Sequence, residues 1–120
     1  MVKKTVTYTD FDGEKVEEPL YFHLSKMELL ELNNAYGCRV DKYINKILEE
    51  HNGTKLGLFF SDLILRSYGK KSEDGKRFVK SPEAKKEFSQ SIAFQTLINE
   101  LTASSEAIEQ FVDSLLDSVE

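Results

Sequence analysis

The run from Leu56 to Leu65 constrains this chain more than any other stretch. Wound as a helix, it places Leu56, Leu58, Phe59, Phe60, Leu63, Ile64 and Leu65 around nearly the whole circumference, so no face is left for water. Such a helix lies at the centre of a core or offers one face to a partner, and burial is the favoured fate. The run is interrupted by Gly57, Ser61 and Asp62 and is well short of the roughly 20 apolar residues that span a bilayer, so no membrane partner is expected. The rest of the chain must therefore wrap it. With 120 residues, 40% hydrophobic and 31% charged, the material suffices for one domain with one core.

The N-terminal part supplies the first wrapping layer. Residues 2 to 9 alternate, with Val2, Lys4, Val6 and Tyr8 on one side and Lys3, Thr5, Thr7 and Thr9 on the other, the period of a half-buried strand. Asp10-Phe11-Asp12-Gly13 provides turn chemistry, and a second extended run from Val16 to Leu24 puts Val16, Leu20, Phe22 and Leu24 on one face. Pro19 lacks an amide donor, which predicts an edge strand. Residues 1–24 are thus predicted to form a β-hairpin that needs helices to cover it.

Helix signals fill residues 25–120. Ser25 and Glu28 form a capping box, Met27, Leu29, Leu30 and Leu32 follow it, and Gly37 is a left-handed stop. Val40, Ile44, Ile47 and Leu48 mark a second helix closed by Asn52-Gly53, and Thr54 is expected to cap the third, which stops at Tyr68-Gly69. Ser81-Pro82-Glu83 combines an N-cap, an N1 proline and an early acid, and predicts a fourth helix running on to Leu101. Thr102 to Ser105 breaks and recaps the chain, and Ile108, Phe111, Val112, Leu115, Leu116 and Val119 predict a fifth. The expected class is α+β, mainly α: an N-terminal β-hairpin followed by about five helices packed as one domain over 1–120.

Charge is unevenly spread. Between Lys70 and Lys86 seven basic residues face three acids, while Asn99 to Glu120 carries six acids and no Lys or Arg, within a chain of net charge −5. Such poles can steer a partner or order copies of one protein. The stretch from Ser67 to Pro82 is predicted to be a connector between helices with a turn at Asp74-Gly75.

Catalytic and cofactor patterns fail on spacing. Gly69-Lys70-Lys71-Ser72 resembles the end of a phosphate loop, but that motif needs a glycine where Ile64 stands. His23 and His51 are far apart without Cys or His neighbours, and His23 is expected to be exposed. Cys38, the only cysteine, excludes an internal disulfide and agrees with a reducing compartment. The N-terminus has two lysines with no apolar segment behind them, so no signal peptide is expected. No enzyme, metal or cofactor is predicted. A nucleic-acid-binding or regulatory adaptor role through the basic 70–86 stretch, with Tyr68 and Phe78 nearby, is the alternative; the acidic pI of about 5.1 stands against it.

Tyr8 to Glu14, Phe22 to Leu29, the stretch Ser67-Tyr-Gly-Lys-Lys-Ser-Glu-Asp-Gly-Lys-Arg-Phe-Val-Lys-Ser81 and Glu87-Phe-Ser-Gln90 together resemble the tail assembly chaperones of long-tailed, siphovirus-type bacteriophages or prophages of Gram-positive bacteria. The resemblance covers nearly the whole chain. It implies a non-catalytic protein of the host cytoplasm, absent from the finished virion, that keeps the long helical tape measure protein soluble during tail tube assembly. It also implies that a frameshifted longer form can recruit the major tail protein; the chain ending at Val119-Glu120 looks like the short form.

A helical client suggests an apolar groove with charged rims. The expected groove lies between the fourth and C-terminal helices, with Phe94, Leu97 and Leu101 facing Ile108, Phe111, Val112, Leu115 and Leu116. For Lys70, Lys71, Lys76 and Arg77 the expectation is client contact or homo-oligomer formation, with the acidic C-terminal helix of a neighbouring copy as counterpart.

Overall fold

The structure is a computed structural model and describes residues 1–119. Strands β1 (Val2–Thr9) and β2 (Lys15–Phe22) form the expected hairpin, pairing antiparallel from Val2 opposite Phe22 to Thr9 opposite Lys15. Six helices follow: α1 (Lys26–Tyr36), α2 (Val40–Glu50), α3 (Gly53–Ser67), α4 (Pro82–Ser89), α5 (Ile92–Leu101) and α6 (Ser105–Asp117). Between α3 and α4 lie two short strands, β3 (Tyr68–Lys71) and β4 (Phe78–Val79). The fold is α+β and mainly helical, with the N-terminal hairpin covered by the helices.

The core forms where the sequence pattern places it. Val6, Leu20, Phe22 and Leu24 bury one face of the hairpin against Phe59, Phe60, Leu63 and Ile64 of α3 and the inner faces of α5 and α6. Phe22 meets the ring edge of Phe111 at 5.7 Å and also contacts Tyr68 and Phe88, so one side chain of β2 touches β3, α4 and α6. A fully buried phenylalanine contributes on the order of 2–3 kcal/mol by area alone.

Several boundaries differ from expectation for local reasons. The predicted fourth helix is two: Ser91 accepts the Phe94 amide at 3.1 Å while its own hydroxyl donates to the Phe88 carbonyl at 2.7 Å, ending α4 and starting α5 in one residue. Asn52, not Thr54, caps α3 by accepting the Lys55 amide at 3.0 Å, and α2 closes on His51 in the left-handed region at φ +52°. His23 is half-buried, not exposed, because its ring packs edge-on to Phe78 at 5.8 Å.

The stretch predicted as a connector is the second hairpin of a four-stranded sheet in the order β1-β2-β3-β4. This makes β2 an inner strand, contrary to the edge placement inferred from Pro19. The ladder reconciles the two. The His23 amide donates to the Ser67 carbonyl at 2.8 Å, and the same register continues through Tyr21 opposite Gly69. The next donor on that side of β2 would be residue 19, two positions on, and proline has none. The ladder ends there, and β2 and β3 splay around an open cleft of about 340 Å³ lined by Pro19, Leu20, Tyr68 and Lys71. Pro19 is an edge residue within an inner strand.

Candidate functional site

The β3–β4 hairpin is built by specific side chains. Ser67, fully buried, donates to the Leu63 carbonyl at 2.8 Å and closes the last turn of α3. Tyr68 stacks on Phe88 of α4 with ring centroids 4.0 Å apart. Gly69 leaves room for Phe78, since a Cβ there would lie 2.6 Å from the Phe78 ring and 2.8 Å from the Val79 carbonyl oxygen. At the turn, the Ser72 hydroxyl donates to Asp74 Oδ1 at 2.6 Å and accepts the Arg77 amide, while Asp74 Oδ1 also accepts the Lys76 amide at 3.0 Å. These bonds hold the Asp74 carboxyl below its ordinary pKa. Gly75 completes the turn at φ +72°.

Lys80 then locks the hairpin to the helices. Its ammonium donates to Glu28 Oε2 at 2.7 Å and to the Arg66 carbonyl at 2.9 Å, and its side chain is 13% exposed. Glu28 meanwhile uses its other oxygen to accept the Ser25 amide in the α1 capping box. One carboxylate therefore joins the start of α1, the end of α3 and the approach to α4. Burial pushes the Glu28 carboxyl up, but the bonds from Lys80 and Ser25 outweigh it and hold it below its ordinary value. Burial lowers the Lys80 pKa, against the raising pull of Glu28.

What these residues present to solvent are Lys70, Lys71, Lys76 and Arg77. All four are exposed, and among the described residues none forms an ion pair. The basic residues sit on a hairpin tied down by these bonds and by the Tyr68–Phe88 stack.

The expected groove between the last helices is filled from within. Leu97, Leu101, Ile108, Phe111, Val112 and Leu115 are core residues, and only Phe94 and Leu116 of that set keep part of their surface. The hairpin supplies the filling, with Phe22 against Phe111. As an open groove the α5–α6 seam is closed.

An open groove lies on the other side of α5. Phe94 and Ile98, one turn apart, line a hollow of about 280 Å³ with Gln95, Asn99 and Ser61 of α3. Leu58, 69% exposed, stands one turn before Ser61 on α3. The sequence carried this signal in the all-round apolarity of α3, but not which face would stay open. Met27 and Leu30 form a second exposed apolar pair on α1.

Among the described residues no group of His, Cys, Asp or Glu is placed to hold a metal ion, and no helix is long and apolar enough to cross a membrane. A protein-family model described as phage tail assembly chaperone matches residues 1–118. No curated protein and no solved structure gives a match.

Proposed function

The chain belongs to the phage tail assembly chaperone family, and on that premise we propose that it holds the tape measure protein in soluble form during tail assembly, without catalysis, in the cytoplasm of the infected bacterium. Its client contact is the groove between α3 and α5. The observation that carries this reading is the hollow that Phe94 and Ile98 line together with the neutral polar groups of Ser61, Gln95 and Asn99; Leu58 lies exposed one turn before Ser61 on the same helix. An amphipathic helix docks its apolar stripe into such a hollow, and amide side chains at the rim satisfy polar groups beside the stripe. The buried residues Leu97 and Leu101 support the contact from beneath by fixing α5, and Leu116 is a second, smaller apolar contact. The major tail protein joins through a longer form of the chain.

Co-expression with tape measure protein tests the proposal. Leu58→Asp places a charge on a side chain that contributes little to the fold, so circular dichroism should be unchanged while the tape measure protein moves to the insoluble fraction. Soluble tape measure protein at the wild-type level with Leu58→Asp would overturn the groove.

A further inference from the structure

Phe11 is 90% exposed at the tip of the first hairpin, far more than any other large apolar residue. The tip that carries it has a fixed shape. Asp10 Oδ1 accepts the Asp12 amide at 3.0 Å and the Glu14 amide at 2.9 Å, the Asp10 amide donates to the Glu14 carbonyl at 2.8 Å, and Gly13 takes φ +82°. The result is an aromatic knob surrounded by the carboxylates of Asp10, Asp12 and Glu14. Neither solubility nor packing accounts for an aromatic ring at that position, and exposed aromatic anchors are characteristic of interface centres.

A complementary socket exists at the other end of the same hairpin. An open cavity of about 420 Å³ has Phe78, His23 and Met1 around it, and Lys71, Lys76 and Arg77 on its rim. An aromatic ring fits a hollow of this size. The tip carries three carboxylates beside its ring and the cavity is lined by three cations beside its own, and among the described residues none of these six charged groups is engaged in an ion pair. The match is in both polarity and charge.

We infer that the Phe11 tip of one copy of this chain docks into the Phe78 socket of another, so that copies associate head to tail. Geometry prevents the contact from closing within one molecule. Met1 precedes β1 and His23 follows β2, so the socket sits at the open end of the hairpin, and strands of eight residues hold the tip roughly 26 Å away at ~3.3 Å per residue. Tip and socket are different surfaces, so the interface is heterologous, and it propagates into a ring or an open array. A single-stranded nucleic acid is a poorer occupant of the socket, because Glu73 and Asp74 share the turn with the cations and repel a phosphate chain.

Sedimentation velocity on the full chain tests this with two variants, each altered only at exposed residues. Wild-type protein should gain mass with concentration and lose it at high salt. Phe11→Ala (tip variant) and Lys76→Glu/Arg77→Glu (socket variant) should each stay monomeric with unchanged circular dichroism. Mixed in equal amounts, they should form a dimer and nothing larger, since the socket variant has an intact tip and the tip variant an intact socket. Wild-type protein that is monomeric at every concentration, a Phe11→Ala chain that still assembles, or a mixture that stays monomeric would each overturn the inference. Assembly lost only in Glu109→Lys/Asp113→Lys would overturn it too, assigning the contact to the acidic face of α6.

Discussion

Strands β1 and β2 pair along their full eight-residue lengths and bury Val6, Leu20 and Phe22, whereas β3 and β4 pair at two positions and bury only Gly69. The first hairpin is held by an apolar face and the second by individual hydrogen bonds, one stacked ring and one ion pair. Stability in the first is shared among many contacts that any residue of similar shape can make. In the second each residue has its own task, and a conservative replacement fails where the task is geometric. The stretch most distinctive in the sequence is thus the one whose structure depends on exact residue identity, while its four unpaired cations are left over for contact.

The largest way to break this contrast is in the first hairpin. Phe22→Ala should remove about 3–5 kcal/mol, since the cavity would open between the sheet, α4 and α6. Urea denaturation should show a lost or strongly shifted global transition. Gly69→Ala should cost about 1–3 kcal/mol through the clash with Phe78 and the Val79 carbonyl. Its signature is local: amide exchange should speed up in β3 and β4 and stay slow in β1. If Gly69→Ala instead destabilised all strands equally, the second hairpin would not be a separate unit.

Lys80→Met keeps the buried stem and removes the charge, leaving the Arg66 carbonyl and Glu28 without this partner, a loss of about 1–2 kcal/mol given that Glu28 can still reach water. The same variant sharpens the pH response. Because the folded Glu28 pKa is lowered, the ion pair contributes fully above the unfolded carboxylate value, and the contribution is lost as pH falls through the folded pKa. Denaturation midpoints followed from neutral to acidic pH should therefore fall less steeply in Lys80→Met than in wild type. Smallest of all, Ser72→Ala should leave global unfolding nearly unchanged and accelerate exchange only at the Arg77 and Lys76 amides, whose turn it organises.

The legible part of the fold was the part governed by periodicity and caps. Alternation in residues 2 to 9 gave β1 in full, Ser25 with Glu28 gave the capping box, and Ser81-Pro82 gave the start of α4. The β3–β4 hairpin was not legible, because a four-residue strand opposite a two-residue strand has no period to detect, and the contacts that hold it come from Phe88, Glu28 and Arg66, distant in sequence. The break at Ser91 was hidden because its hydrophobic stripe continues in phase through α4 and α5. Of the candidate groove, the apolar residues were visible but their division was not. Leu97 and Ile98 are adjacent and equally apolar, and only the position of β1 beneath α5 decides that Leu97 is buried while Ile98 lines the groove.

Hydrogen exchange on the chaperone with and without the proposed client, tape measure protein, compares the regions directly. Docking in the α3–α5 groove predicts slower exchange at the exposed turns of α3 around Leu58 and of α5 around Phe94 to Asn99, with the β3–β4 hairpin unchanged. Protection confined to that hairpin, with the groove exchanging as in the free protein, would contradict the account.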